Sequence, residues 1–246
     1  MQRSALALKL LVYAPTGAIA AAATTSLPEN PAGGKNWDYR FAWVRDLAYT
    51  AHALARFGLR EETHAALSWM VKTIRADGDL RVMYTLRGEP VEGVEFFDAP
   101  GWAGIGPVVT GNPASDQLQL GVYGDLFAIC RTYADAGNVL DPGTARLLAE
   151  LADRVCDLWR NRDSGMWELP ELAHYTSSKM GCWQALRDAV HLVVAHPRRP
   201  SLRPGPAAGA AARARRRCRR RGGRPPRRSP AACLLYTSDA ADEEDS

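Results

Sequence analysis

The sequence has no apolar run near the roughly 18–20 residues that a membrane-spanning helix requires. Residues 1–23 resemble a secretory signal, because Arg3 precedes an Ala/Leu run. However, Lys9 interrupts that run, and residues 13–17 predict a turn where a cleavage site would lie. We therefore expect a soluble cytoplasmic protein with no membrane partner.

Paired cysteines are also missing. The five cysteines form no CxxC pair and are odd in number, and Cys130, Cys156 and Cys182 lie in helix-like apolar patterns. Buried reduced thiols are expected rather than disulfides, which favours a reducing compartment. No glycine-rich phosphate loop or metal-ligand spacing occurs, so the sequence predicts no cofactor and no metal site.

Acidic residues are absent from positions 197–230, a stretch composed almost wholly of Arg, Pro, Ala and Gly. Thirteen of the 31 basic residues lie there, and positions 1–196 hold 18 basic and 22 acidic residues. The formal charge of +4 therefore comes from the tail. One interpretation is an Arg-rich nucleic-acid-binding arm. The other is an out-of-frame reading of GC-rich DNA, which produces the same four residue types.

The end of the chain favours the second interpretation. Residues 233–243, Cys-Leu-Leu-Tyr-Thr-Ser-Asp-Ala-Ala-Asp-Glu, resemble the translation of a transposase-type sequencing adapter. The basic stretch also lacks Lys and interleaved aromatic residues. We expect residues 196–246 to be a non-native, disordered tail made by a frameshift followed by adapter, with no nucleic-acid partner.

The body, residues 1–195, reads as helices joined by loops of unequal length. Hydrophobic periodicity and end signals predict five or six helices, so the class is all-α and neighbouring helices form αα-hairpins. The predicted helices cover 4–12, 46–57, 61–75, 112 to about 136, 141 to about 158, and 177 to about 195. Only residues 80–86 look extended. The long loops 24–44, 87–113 and 161–176 are rich in Trp, Asp, Glu, Gly and Tyr, which favours a functional role.

The loop at residues 163–170, Asp-Ser-Gly-Met-Trp-Glu-Leu-Pro, places Glu168 next to Trp167. A carboxyl group packed against an indole can have its pKa raised by desolvation, which suits a general acid. A surface glutamate in a turn is the alternative that this segment alone leaves open.

A second candidate segment is residues 36–46, Asn-Trp-Asp-Tyr-Arg-Phe-Ala-Trp-Val-Arg-Asp. Aromatic rings beside Asp and Arg hydrogen-bonding groups are what sugar faces and hydroxyls require. An Arg–Asp network that caps the next helix, with Asp46 as N-cap, explains the same residues equally well.

Five blocks in order resemble glycoside hydrolase family 15, the glucoamylase and bacterial trehalase family. The strongest is Gly-Gly-Lys-Asn-Trp-Asp-Tyr-Arg-Phe-Ala-Trp-Val-Arg-Asp at 33–46. The others are residues 13–19 with 25–29, 112–120, 164–168 and 174–186. The resemblance implies an incomplete (α/α)6 barrel with about half of its helices.

The resemblance also implies roles for particular residues. Glu168 matches the general acid of an inverting reaction, and Arg45 and Asp46 match groups that hold the non-reducing-end glucose. Tyr39, Trp43 and Trp167 match its aromatic walls. Leu169 departs from the fungal branch, where a second carboxylate often follows the acid.

The family's general base comes from a later loop, beyond the body of this chain. Asp38, Asp116 and Glu29 are available carboxylates, but their family counterparts are not the base. We therefore expect a fragment of an α-glucoside hydrolase that is inactive by itself. The parent activity is expected to be of the glucan 1,4-α-glucosidase type. An α,α-trehalase, a lectin-like sugar binder and an Arg-rich nucleic-acid-binding protein are the alternatives.

Overall fold

The computed structural model describes residues 2–195, so the expectations about the tail concern residues outside the described part. Six α-helices form over this range, which confirms the predicted helix number. They are α1 (Gln2–Leu10), α2 (Val44–Arg56), α3 (Arg60–Asp77), α4 (Gly121–Asp135), α5 (Pro142–Leu158) and α6 (Thr176–Ala195).

The segments between the helices contain more extended structure than predicted. Eight short strands pair as four antiparallel two-stranded sheets: β1 (Val12–Tyr13) with β2 (Ala18–Ile19), β3 (Thr25–Pro28) with β4 (Asn36–Asp38), β5 (Ala42–Trp43) with β6 (Met83–Tyr84), and β7 (Val94–Phe97) with β8 (Val108–Gly111). The expectation that only residues 80–86 are extended was therefore wrong. Strands of two to four residues are too short to show the alternation by which strands are recognised in a sequence.

The helices pack as a row of neighbours. Helix α4 lies between α2 and α6 and contacts both, α3 packs on α2, and α5 packs on α6. One large apolar cluster joins these five helices, with Leu47, Met70, Leu126 and Val155 fully or almost fully buried. This arrangement agrees with about half of an (α/α)6 barrel and confirms the predicted fold class.

Helices α4 and α6 meet backbone to backbone. A Cβ atom added to Gly124 would lie 2.8 Å from the Cα of Gly181, and one added to Gly181 would lie 2.8 Å from the Cα of Gly121. Real Cβ atoms do not approach other heavy atoms this closely, so the crossing requires glycine at 124 and 181.

The start of α4 differs from the prediction. Pro113–Asp116 forms a separate 3-10 turn, in which the side chain of Asn112 accepts from the N–H of Ala114 at 2.9 Å. The chain then extends at Gln117, and α4 begins only at Gly121. The predicted helix start at 112–113 was therefore wrong, because the proline signal marks the short turn instead.

The starts of α5 and α2 differ in how they are capped. Asp141 caps α5, since its side chain accepts from the N–H groups of Gly143 at 2.8 Å and Thr144 at 3.1 Å. Helix α2 begins at Val44, so Asp46 lies inside its first turn and does not cap it. The interpretation of Asp46 as an N-cap was wrong.

The thiols of Cys130 and Cys182 lie in the core. Burial raises the pKa of Cys130 to about 12 and that of Cys182 to about 11, so both stay protonated at neutral pH. Among residues 2–195, no helix is both long enough and apolar enough to cross a bilayer.

Candidate active site

Glu168 lies in the connection between α5 and α6, residues 159–175, here named the Glu168 loop. Its backbone adopts the left-handed region with φ of 58°, which costs a residue with a side chain roughly 1–2 kcal/mol. The N–H of Leu169 donates to the carbonyl of Ser164 at 3.0 Å and closes the turn. The turn therefore holds Glu168 in a backbone conformation that the sequence does not prefer.

Trp43 contacts Glu168 although the two residues lie 125 positions apart in the sequence. It ends β5 at the entry to α2, is 2% exposed, and donates from its indole Nε1 to Glu168 Oε1 at 2.8 Å. The indole that contacts the carboxylate is thus that of Trp43. The neighbouring Trp167 is 78% exposed, so packing of Glu168 against Trp167, one of the two interpretations that the sequence left open, is not what the structure has.

Arg45 joins three groups of the site. Its Nη2 lies 3.2 Å from Glu168 Oε1, its Nη1 donates to the carbonyl of Met166 at 2.8 Å, and its Nε lies 3.3 Å from Asp46 Oδ2. The side chains of Arg45 and Glu168 are 22% and 26% exposed, so the pair is partly shielded from water. The guanidinium thereby couples the start of α2 to the Glu168 loop.

Aromatic rings line one side of this group. The rings of Tyr39 and Trp43 lie 5.9 Å apart at 40°, and Phe41 lies 6.4 Å from Trp43. The hydroxyl of Tyr39 donates to the carboxylate of Glu29. Burial and the neighbouring carboxylate of Glu29 raise the pKa of Tyr39, so the phenol remains neutral. Together these rings form an apolar wall beside a carboxylate.

The structure brings Glu168, Trp43, Arg45, Asp46 and Tyr39 together. These residues come from two segments more than 120 positions apart. Trp167, the sixth predicted residue, belongs to the same loop, but its side chain is mostly exposed.

The other carboxylates have different surroundings. Asp38 is fully buried and accepts from Arg40 Nε at 2.9 Å, Arg40 Nη2 at 2.8 Å and Thr110 Oγ1 at 3.2 Å. Burial raises the pKa of Asp38, but the hydrogen bonds from Arg40 and Thr110 outweigh it, so the net pKa is lowered. Asp116 is exposed on the 3-10 turn. Asp38 therefore has a structural role: its hydrogen bond from Thr110 joins β4 to β8.

Two glutamines beside Glu168 could not be identified from the sequence. Gln117 Nε2 donates to the backbone carbonyl of Glu168 at 3.1 Å, and Gln119 Nε2 donates to Gln117 Oε1 at 3.0 Å. The extended stretch between the 3-10 turn and α4 places both glutamines. The only sequence signal was their position inside one of the five blocks.

A third unpredicted residue is Asp125, which lies one turn into α4. It lines a cavity of about 150 Å³ together with Arg45, Gln119, Met166 and Gln184. Burial raises the pKa of Asp125 to about 6, although the positive charge of Arg45 lowers it in part. Asp125 reads in the sequence as one more charge on a helix, and no local pattern marks it.

Comparison with known proteins identifies the family. The sequence model of Glycosyl hydrolases family 15 matches residues 1–200. The chain belongs to this family. All residues of the site, and all six helices, lie within the matched range of this family 15 chain.

Several known proteins are similar to the chain in sequence. A trehalase of Thermoplasma volcanium is 37% identical over 193 residues, which are 78% of this chain and 31% of that protein. The trehalase of Mycobacterium tuberculosis is 37% identical over 192 residues, covering 76% of this chain and 28% of the relative. Trehalase 1 of Sulfolobus acidocaldarius is 36% identical over 182 residues, covering 72% and 33%.

The chain thus spans about a third of the length of the curated relatives it matches. No solved structure matches it. Within residues 2–195 of this family 15 chain, no three His, Cys, Asp or Glu side chains are grouped so that they could hold a metal ion.

Proposed function

We propose that residues 1–195 are part of the catalytic domain of a glycoside hydrolase, and that Glu168 is its general acid. The observation that carries the proposal is that two side-chain donors contact the same oxygen, Glu168 Oε1. Trp43 Nε1 at 2.8 Å and Arg45 Nη2 at 3.2 Å both approach that oxygen. The two contacts fix the rotation of the carboxyl group, which a proton donor of defined direction requires.

The two donors also determine which oxygen of the Glu168 carboxyl group carries the proton. No hydrogen bond within residues 2–195 is recorded for Glu168 Oε2, whereas two donors approach Oε1. In the proposed step, Oε2 gives its proton to the glycosidic oxygen as the bond from that oxygen to the anomeric carbon breaks. The carboxylate left behind is stabilised by Trp43 and Arg45, because donors already point at the oxygen that shares the negative charge.

The glucose unit next to the broken bond is proposed to lie between the Arg45–Asp46 corner and the aromatic wall. Asp46 keeps 39% of its side chain exposed, so it can accept from sugar hydroxyls. Tyr39, which is partly exposed, is proposed to offer its ring face to the pyranose, and Trp43, which is 2% exposed, to support the position of Tyr39 by packing against it. Trp167, exposed at the rim, is proposed to cover the ring once the substrate binds.

Inverting hydrolysis needs a second carboxylate that activates water from the far side of the sugar ring. We propose that this base belongs to the part of the parent protein that corresponds to the remaining two thirds of the relatives. Residues 196–246 are proposed to be an out-of-frame tail. The 246-residue chain should then not hydrolyse substrate, because an acid without the base lacks the group that activates water.

Trehalose is the substrate that the comparisons favour. The relatives reported above are trehalases, at 36–37% identity over most of the body. We propose trehalose in preference to maltooligosaccharides for this reason. Both substrates present a non-reducing α-glucosyl unit, so the same Arg45–Asp46 corner serves either.

The test needs the protein encoded by the same gene with the reading frame restored after residue 195 (the restored-frame protein). We expect it to release glucose from trehalose faster than from maltose. Glu168→Gln should lower turnover at least a hundredfold, because the amide cannot donate the proton. Glu171→Gln, an exposed glutamate in the same loop, is the matched control and should keep normal turnover.

Three outcomes would each contradict one part of the proposal. Near-normal turnover by Glu168→Gln removes Glu168 from the role of acid. The absence of an open frame that extends the family match beyond residue 200 removes the assignment of the tail and of the missing base. Faster cleavage of maltose than of trehalose contradicts the substrate alone.

A further inference from the structure

We propose that Asp163 is the positioning residue of the acid: its carboxylate fastens the Glu168 loop to the start of α4 and so sets where Glu168 meets Trp43. Only the catalytic consequence of this inference depends on the proposed function of Glu168. The positional claim concerns the chain as it stands.

The first observation is the bond that Asp163 makes to α4. Its side chain is fully buried, and Oδ2 accepts from the backbone N–H of Leu120 at 2.9 Å. Leu120 directly precedes Gly121, the first residue of the 15-residue helix α4. A negative charge at the N-terminus of a helix is favoured by the aligned peptide dipoles. A hydrogen bond from an N–H to a carboxylate is also stronger than one to a neutral acceptor.

The second observation is that the same residue closes the loop. The N–H of Asp163 donates to the carbonyl of Ala173 and the N–H of Ala173 donates to the carbonyl of Asp163, both at 3.0 Å. The next residue, Ser164, donates to the carbonyl of Leu118 at 2.9 Å. The base of the loop is thus held to the segment before α4 at two consecutive residues.

The path from this base to Glu168 is short. Only four residues separate Asp163 from Glu168, and the hydrogen bond between Leu169 N–H and Ser164 O closes the turn between them. Position 165 of this turn requires glycine, because the Cβ atom of any other residue would lie 2.8 Å from the ring of Tyr175. A turn this tight passes a displacement at its base on to the carboxyl group of Glu168.

The third observation is the second oxygen of the same carboxylate. Asp163 Oδ1 is buried and has no hydrogen-bond partner within the described residues. An unsatisfied buried acceptor is unfavourable, and this one belongs to a charged group. The bond to Leu120 and the helix dipole offset this cost only while the carboxylate stays at the start of α4. Moving the carboxylate away from Leu120 would leave both of its oxygens without a hydrogen bond among the described residues, so this bond holds the loop in place.

The experiment uses the 246-residue chain with ¹⁵N-labelled tryptophan. Its seven tryptophans give seven indole N–H signals, and Trp43→Phe identifies that of Trp43. Glu168→Ala removes the acceptor of Trp43 and defines the full displacement of this signal. We expect Asp163→Ala to displace it by at least half of that amount. Asp163→Asn, which keeps an acceptor for Leu120 but loses the charge, should displace it less than Asp163→Ala does.

Asp188→Asn is the matched control. Asp188 is also buried, but it lies on α6 and pairs with Arg131 at 2.9 Å and Arg187 at 3.1 Å. Its loss should lower stability in urea and leave the Trp43 signal in place. The inference is overturned if the Asp163 variants keep the wild-type signal, or if Asp188→Asn displaces it equally. If Asp163→Ala does not fold, Asp163→Asn decides by the same criterion: a displaced signal supports the inference and an unmoved one overturns it.

In the restored-frame protein, Asp163→Asn should lower kcat about tenfold with KM changed less than twofold, because the bound sugar keeps its contacts to Arg45 and Asp46. Normal turnover by Glu168→Gln would contradict the proposed function. The positional role of Asp163 would then be tested by the displacement of the Trp43 signal alone. Loss of turnover by Glu168→Gln, with normal kcat for Asp163→Asn, would overturn the role of Asp163 in catalysis alone.

Discussion

The indole N–H of Trp43 donates a 2.8 Å hydrogen bond to the carboxylate of Glu168, across 125 positions of sequence. One partner belongs to the entry of α2 and the other to the connection between α5 and α6. Because Arg45 approaches the same oxygen, Glu168 is oriented by residues from outside its own loop. The arrangement gives Trp43 two roles in the structure, as a packing partner of the Tyr39 ring and as a hydrogen-bond donor to Glu168.

Replacing Trp43 by Phe separates these two roles. The ring face is retained but the donor is lost, and a hydrogen bond to a charged group contributes about 1.5–3 kcal/mol. If that energy is realised in the transition state, kcat of the restored-frame protein for trehalose should fall about 10- to 100-fold. Steady-state kinetics, with circular dichroism to confirm folding, measures the change.

Trp69→Phe provides the control for this substitution. Trp69 is 6% exposed, belongs to the main core, and has an indole N–H that is buried without a hydrogen-bond partner among the described residues. Its replacement removes a similar volume and no hydrogen bond, so turnover should stay normal. Equal losses of kcat in the two variants would contradict a specific role for Trp43.

Asp125 makes stability depend on pH. Burial raises its pKa in the folded protein to about 6, above the value of about 3.9 for an unfolded chain. The folded state therefore binds more protons between these values. The contribution of Asp125 to stability is fully present below about pH 4 and is lost as the pH rises through about 6. Asp125→Asn should remove this dependence.

Urea unfolding of the 246-residue chain at pH 4, 5, 6 and 7 measures this effect. Relative to wild type, Asp125→Asn should gain of the order of 1–3 kcal/mol of unfolding free energy between pH 4 and pH 7. Asp116→Asn, at an exposed position of the 3-10 turn, should follow the wild-type curve. Parallel curves for Asp125→Asn and wild type would contradict the prediction.

The contact of α4 with α6 predicts opposite effects for two glycines. In Gly181→Ala the new Cβ meets the backbone of Gly121 at 2.8 Å, and overpacking of this kind costs about 1–3 kcal/mol. In Gly121→Ala the new Cβ meets no atom within 4 Å, and alanine favours a helix by up to about 1 kcal/mol. Chemical unfolding should show the first variant less stable and the second equal to or more stable than wild type.

Much of the fold could be predicted from the sequence, because long helices have clear apolar periodicity and clear end signals. The pair Asp141 and Pro142 correctly predicted the residue at which α5 starts. The signal failed at Pro113, which opens a 3-10 turn. Whether a proline turn continues as a helix depends on tertiary contacts, here the bond from Leu120 N–H to Asp163.

The candidate site divides in the same way. Glu168, Arg45 and Trp43 lie in segments whose residue types suggest sugar chemistry. The contacts of Gln117, of the Met166 carbonyl and of the partly buried Asp125 depend on how the helices and their connecting segments meet. No local pattern encodes that meeting. The exposure of Trp167 was hidden for the same reason, since sequence proximity to Glu168 does not set the direction of a side chain.

The distance along the chain between Trp43 and Glu168 has a consequence during synthesis. At about 5–20 residues per second, a ribosome makes Trp43 roughly 6–25 s before Glu168. For that interval a large indole that is 2% exposed in the folded protein lacks its polar partner. The apolar residues that bury its ring, among them Val82, Met83 and Val91, are all made before Glu168, so the ring can be covered first and its N–H paired only later.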